Sequence, residues 1–229
     1  MLEAEEIARR LGEVRDRIAS ATLRAGRPQD AIRLVLASKT QPPEAIRAAY
    51  QAGARHFGEN YVQEGASKRA ELHDLRDTTW HLIGHLQTNK TRLATRTFEI
   101  IQTVDSARLA DAIAHAQPTP PMRVLIEVNL GGEPNKSGAG AGDVESLIDA
   151  ARSKVEILGL MTIPPHAQSA SGARNYFAKL RRLRDRLAAR CGLALSELSM
   201  GMTEDFEVAI EEGATMVRVG RAVFGERRK

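Results

Sequence analysis

Apolar residues in this chain recur in two alternating patterns. Short runs rich in valine, isoleucine and leucine, bounded by turn or cap residues, read as strands. They occupy residues 32–38, 55–58, 79–84, 99–104, 123–130, 155–161, 195–200 and 215–219. Between them lie longer segments with apolar positions three and four apart, the spacing of one helix face. Residues 173–190 place Phe177, Leu180, Leu183 and Leu187 on such a face. The punctuation agrees with this division. Pro43 suits the first turn of a helix over 43–52, and Gly53 closes it. A helix over 203–212 closes in the same way on Gly213, Ser106 supplies an N-cap for 106–116, and a further helix over 3–25 ends at Gly26.

Strands alternating with helices eight times in 229 residues predict an α/β fold, a single (β/α)8 barrel over 1–229 with an extra N-terminal helix. An open doubly wound sheet would carry a glycine-rich phosphate loop after its first strand. Here that strand ends in Ala37-Ser38-Lys39-Thr40, and neither GxGxxG nor GxxxxGK[ST] occurs. The Pro- and Gly-rich stretches 117–121 and 131–142 are loop-length, so no linker divides the chain.

Such a barrel puts its reactive groups at the carboxyl ends of the strands, with phosphate often bound after the seventh and eighth. Of the seven lysines, Lys68, Lys90 and Lys179 fall in helical segments, Lys154 precedes the sixth strand and Lys229 is the last residue. Lys39 and Lys136 remain for the mouth. Lys39 follows Leu34-Val35-Leu36-Ala37, where partial desolvation would make its amine a nucleophile for an aldehyde. It reads equally as a lysine reaching from a strand end to solvent. The seventh strand runs into Ser199-Met200-Gly201-Met202-Thr203 and a helix start, whose N–H groups with the Ser199 and Thr203 hydroxyls form a candidate phosphate cradle. After the eighth strand Gly220 permits close backbone approach and Arg221 adds charge. Alternation puts Met216 and Arg218 on one face. Facing inward, Arg218 is a buried cation that needs a partner; facing outward, it is an ordinary surface charge.

The remaining chemistry is thin. His81 and His85 are separated by Gly84 and a strand end, HExxH is absent, and His56 reads as a hydrogen-bonded strand histidine, so no metal site is expected. No Gly-x-Ser-x-Gly elbow occurs, and the one cysteine, Cys191, follows a helix. Apolar residues at 42% can bury a core, yet no apolar run approaches the roughly 18–20 residues that span a bilayer. The acidic, amphipathic start lacks a signal peptide's layout, which points to the cytoplasm and to no membrane partner. A net charge of +4 raises nucleic acid as a partner. However, residues 174–190 carry seven basic side chains and one acidic, leaving the rest of the chain net acidic. With 4% aromatics and no known nucleic-acid motif, no nucleic-acid partner is expected.

Seven stretches in order carry a stronger signal: LASKT (36–40), FGENYVQEG (57–65), WHLIGHLQTNK (80–90), VNLGGEPNKSG (128–138), LGLMTIPP (158–165), LSMGMTEDFEVAI (198–210) and VRVGRAVFGER (217–227). Together they resemble the pyridoxal phosphate homeostasis proteins, which are similar to the barrel domain of alanine racemase (PLP fold type III). The resemblance implies that Lys39 holds pyridoxal 5′-phosphate (PLP) as an aldimine. It implies phosphate contacts from Ser199, Gly201, Met202, Thr203, Gly220 and Arg221, with Arg218 opposite the pyridine nitrogen. Asn60, His81 and Met161 match positions around the cofactor. Arg221 stands where relatives often carry Ser or Thr. The implied role is intracellular vitamin B6 homeostasis: holding PLP and passing it to apoenzymes, with indirect effects on amino-acid and keto-acid pools. Lys136 is a candidate second amine or simply a solvated loop residue. A monomer is expected, since no long exposed apolar stripe is present.

A PLP-dependent amino-acid racemase is the alternative. A protonated ring nitrogen makes PLP its best electron sink, and an arginine opposite it disfavours that proton. Alanine racemase adds a β-rich domain and a tyrosine base. This chain ends ten residues after its eighth strand, and Tyr50, Tyr61 and Tyr176 lie in helical or pre-helical segments. A non-enzymatic role is therefore expected. A phosphosugar enzyme on the same barrel would leave Lys39 and Arg218 without a task.

Overall fold

The computed structural model describes residues 3–116, 120–133, 136–165 and 170–226. All eight expected strands form: β1 (Arg33–Ala37), β2 (His56–Glu59), β3 (Thr79–Leu82), β4 (Ile100–Val104), β5 (Arg123–Asn129), β7 (Glu156–Met161), β8 (Glu197–Ser199) and β9 (Met216–Val219). Each pairs in parallel with its neighbours. The ring closes because β9 pairs with β1, Val35 opposite Arg218, while β4 pairs with β5. The result is a closed eight-stranded parallel barrel. A ninth strand, β6 (Ala139–Gly140), adds two residues beside Val128 and Asn129. It was not expected, because two residues are too few to show a period.

The helices follow their strands: α2 (Pro43–Gln51), α3 (Val62–Glu71), α4 (Thr91–Thr97), α5 (Ala107–Ala116), α6 (Val144–Ala151), α7 (Ala170–Cys191), α8 (Phe206–Glu211) and α9 (Arg221–Phe224). The extra α1 (Ala4–Arg24) packs on α2, α8 and α9 and buries Ile7, Leu11, Val14 and Ile18. The expected caps are in place: Ser106 Oγ accepts from the Leu109 N–H at 3.3 Å, and Gly26 and Gly53 take the left-handed φ that ends a helix.

Strand alternation sorts the core into two regions. Outward residues such as Leu36, Phe57, Trp80, Leu82, Val124 and Val217 meet the helices, including Phe177, Leu180, Leu183 and Leu187 of α7. Full burial of each such side chain contributes about 1.5–3 kcal/mol. Inside the barrel, Leu125, Met161 and Met216 form a smaller apolar patch among buried polar groups. The basic face of α7 is partly neutralised: Arg174 and Arg181 pair with Glu212, Arg174 also with Glu211, and Arg190 with Glu145 of α6.

Some boundaries shift: α7 begins at Ala170 rather than 173, and β8 covers Glu197–Ser199 within the expected 195–200. The helix expected to begin at Thr203 begins at Phe206. Gly201 takes φ 91°, and Met202 donates its N–H to Asp205 Oδ1 at 2.6 Å, closing a turn over 202–205 before the helix starts. A short 3₁₀ turn at Thr88–Lys90 leads into α4. Part of the loop expected over 117–121, positions 134–135 of the fourth motif, Arg227 of the last motif and Lys229 lie outside the described residues.

Candidate functional site

The carboxyl ends of the strands make one mouth. Lys39 continues the inward parity of Val35 and Ala37 and is half-buried at the end of β1. Its position is fixed by the residues around it. Thr40 has φ 64°, a left-handed conformation unusual for a β-branched residue, and its N–H donates to Glu64 Oε1 at 2.6 Å. Lys68 reaches back from α3 and donates to Ser38 O at 2.8 Å, to Glu59 Oε1 at 2.9 Å and to Glu64 Oε1 at 2.6 Å. Ser38 Oγ donates to the same Glu59 oxygen at 2.7 Å. Burial pushes the Glu59 carboxyl above its usual range, and the Lys68 ammonium opposes that shift. A buried ion pair thus clamps the backbone on both sides of Lys39.

Arg218 faces inward, which decides between its two readings. It is buried, donating from Nη1 to Ser199 Oγ at 2.6 Å and from Nη2 to Thr162 O at 2.9 Å. Burial lowers its pKa to about 10, against the pull of Glu127 and Asp205. Ser199 Oγ donates onward to Gln102 Oε1 at 2.6 Å, and Gln102 Nε2 lies 2.9 Å from His81 Nδ1. His81 Nε2 is 3.1 Å from His56 Nδ1. Burial and the nearby His56, Arg33 and Arg123 hold His81 well below the normal imidazole value. Burial, Arg33 and Arg123 bring His56 to about 4. Both rings are neutral at physiological pH.

Two buried acceptors beside this interior have no partner among the described residues: Asn60 Oδ1 and Glu127 Oε2. Glu127 stands next to Met161 on β7, and Met161 stands next to Ser199 on β8. Burial and the Asp105 charge raise the Glu127 carboxyl to about 7, with Arg218 opposing. The loops after β8 and β9 lie side by side: the Arg218 N–H donates to Gly201 O at 3.0 Å, and Arg221 Nη2 pairs with Glu204 Oε1, just past Thr203, at 3.1 Å. Gly220 lies against β1 so closely that a Cβ would sit 2.9 Å from Ala37 O, and a Cβ on Gly201 would meet Ala209 Cβ at 2.6 Å. Both loops depend on glycine.

Sequence comparison places this geometry in a family. The alanine racemase N-terminal domain model matches residues 10–228. Over 223 residues the chain is 47% identical to the pyridoxal phosphate homeostasis protein of Aquifex aeolicus (strain VF5), covering 96% of this chain and 97% of that protein. The chain belongs to the pyridoxal phosphate homeostasis protein family. Two solved structures are similar throughout. An unknown protein from Bifidobacterium adolescentis matches with a TM-score of 0.91 at 36% identity, covering 98% of each chain. PipY of Synechococcus elongatus PCC7942, solved with PLP bound, matches with a TM-score of 0.82 at 40% identity, covering 96% of this chain and 100% of that one.

Within this homeostasis-family barrel, the residues implied by the resemblance fall into two groups. Lys39, Asn60, Gly201, Met202, Thr203, Gly220 and Arg221 lie at the strand ends or in the loops that follow them. His81, Met161, Ser199 and Arg218 lie on the strands, buried inside. Ser199 turns its hydroxyl to Arg218 and Gln102, and the Met202 N–H is engaged by Asp205. Lys136 pairs with Glu133 at 2.6 Å in the loop after β5. Sequence reading missed Glu59, Lys68, Gln102 and Glu127. For Gln102 and Glu127 a signal existed: each is a long polar side chain beside apolar residues on the inward parity of its strand, Gln102 after Ile100 and Ile101 and Glu127 between Ile126 and Val128. Lys68 falls in a helical segment, and the reach of its side chain back to β1 is a tertiary contact that helix spacing does not show.

Proposed function

We propose that this mouth binds PLP through the Lys39 amine, and that the chain is a cytoplasmic carrier that buffers the cofactor and hands it to apoenzymes. The observation that carries the reading is convergence. One half-buried lysine, two close-approach glycine loops, two unpartnered buried acceptors and one buried guanidinium meet at one barrel mouth. That set fits a small ring bearing an aldehyde, polar ring substituents and a phosphate. A PLP-bound relative at 40% identity supports the same ligand.

In this reading Lys39 holds the cofactor through its aldehyde. The Gly201–Thr203 and Gly220–Arg221 segments take the phosphate, and Arg221 supplies a guanidinium to it. Ser199 serves a different task from a phosphate contact: it holds Arg218. Asn60, His81, Met161 and Glu127 line the ring's surroundings. When bound, PLP supplies an aldehyde that condenses with amines and a ring that can delocalise a carbanion. Arg218 can only donate, so a ring nitrogen facing it is not kept protonated. That favours holding the aldehyde over carbanion chemistry. The tyrosines support the same conclusion. Tyr50 is on α2 with its hydroxyl on Asp77, Tyr176 is on α7, and Tyr61 is largely exposed. None is a buried base above the mouth.

The test pairs binding with turnover. Purified chain loaded with PLP and desalted should retain a visible chromophore, reduced by borohydride, and should restore activity to a PLP-requiring apoenzyme. Racemisation of a panel of L-amino acids should not exceed that of free PLP. A rate well above free PLP would replace the carrier reading with the racemase one.

A further inference from the structure

The buried polar row inside the barrel can be given a direction, because one end is an obligate donor. Arg218 has N–H groups and no lone pair to offer. Ser199 Oγ, 2.6 Å from Nη1, therefore accepts from it. The other hydrogen-bond partner of that hydroxyl among the described residues is the Gln102 amide at 2.6 Å, so the Ser199 proton goes to Gln102 Oε1. A flipped amide would present an N–H to Ser199 and leave the hydroxyl proton buried without an acceptor. Met216 adds an independent vote. Its thioether, a weak acceptor, lies 3.7 Å from the same amide end that faces His81, which places the NH₂ there.

With its NH₂ on that side, Gln102 donates to His81 Nδ1 at 2.9 Å. His81 Nδ1 is then bare and its proton sits on Nε2, which donates to His56 Nδ1 at 3.1 Å. His56 in turn carries its proton on Nε2. Five side chains from five different strands share one donor direction, from Arg218 on β9 to His56 on β2. The charged groups acting on the two rings are Arg33, Arg123 and Glu197, and the two arginines reinforce the neutral state.

We propose that Gln102 is a positioning residue of the mouth: through Ser199 it fixes the Arg218 guanidinium, and through His81 it locks the buried His81 and the half-buried His56 imidazoles in the Nε2–H tautomer. Its effect on PLP rests on the function proposed above; the tautomers do not. Without Gln102 the Ser199 hydroxyl is free to rotate, and Arg218 loses a fixed acceptor.

Two measurements test this. Long-range ¹H–¹⁵N correlation spectra of the PLP-free chain read the tautomers directly. The expected result is Nε2–H for His56 and His81 at pH 7, with His81 still neutral at pH 5. Gln102→Glu offers acceptors only, so His81 should become Nδ1–H or imidazolium. An Nδ1–H or charged His81 in the unsubstituted chain overturns the proposal without any variant. The second measurement uses PLP-loaded Gln102→Met. Its PLP affinity should fall about tenfold, and the pH midpoint of its visible chromophore should move. A merely structural glutamine would change the melting temperature and leave that pH profile alone. Unchanged affinity and pH profile would refute the positioning role. Absence of PLP binding by the unsubstituted chain would instead refute the function, with the tautomer result still standing.

Discussion

Lys68→Met removes the cation from a carboxylate that is fully buried. Glu59 is 0% exposed, and its Oε2 has no partner among the described residues. Its Oε1 is shared by Lys68 at 2.9 Å and Ser38 at 2.7 Å. Losing one partner of a buried pair typically costs about 3–5 kcal/mol. The carboxyl has an escape, however, since it can take up a proton instead of remaining a bare anion. At pH 7 that route costs about 3.7 kcal/mol, from about 2.7 pH units above an ordinary glutamate at about 1.4 kcal/mol each. At pH 5.5 the same route costs only about 1.6 kcal/mol. The sign follows from linkage. In the variant the folded-state pKa of Glu59 rises further above its unfolded value, so the folded chain holds a proton that the unfolded chain releases. Stability is then lost as pH rises. Urea unfolding at both pH values, compared with the unsubstituted chain, should therefore show a loss of about 3–4 kcal/mol at pH 7 and about half that at pH 5.5. Adding Glu59→Gln should recover most of the pH 7 loss. A loss under about 1 kcal/mol at pH 7, or one independent of pH, would refute the buried-clamp reasoning.

Three further outcomes are expected. Gly220→Val forces a side chain against Ala37 O, where even a Cβ would sit at 2.9 Å, and should weaken PLP binding at least tenfold in a fluorescence titration. His56 and His81 both titrate below normal, so between pH 6.5 and about 4 the unfolded chain binds protons the folded chain refuses. Thermal melts of the PLP-free chain should show stability falling with pH across that window, and His81→Gln should flatten the fall. Glu127 is raised to about 7, so its burial costs stability as pH rises from the ordinary carboxylate range to that value. Glu127→Gln should be more stable than the unsubstituted chain by about 1–3 kcal/mol at pH 8 and equal to it at pH 5, measured by denaturant unfolding.

Much of the architecture could be read before the structure. β-branched runs and helical periodicity located every strand of the ring, because burial on one or both faces imposes the pattern locally. The strand-end rule brought Lys39 and Gly220 to the mouth, while alternation put Arg218 on one face with Met216 without saying which way that face points. What escaped depends on side chains that meet across the ring. Lys68 belongs to the Lys39 segment only because α3 folds back over the β1 end. Gln102 matters because β4, β3 and β8 bring Ser199 and His81 to its two amide ends. The late start of α8 escaped because Asp205 bonds its own turn through Met202, a choice that composition does not reveal. Ser199 shows the same limit from the other side: its place at the end of a strand suggested a phosphate ligand, while its hydroxyl is engaged by Arg218 and Gln102.

The central claim is that Lys39 is the amine that holds PLP. It is tested most directly by loading the chain with PLP, reducing with borohydride and mapping the modified peptide by mass spectrometry. The account predicts a phosphopyridoxyl adduct on Lys39, and loss of the reducible chromophore in Lys39→Ala. An adduct on Lys136 or Lys68 in the unsubstituted chain, with Lys39 unmodified, would contradict it.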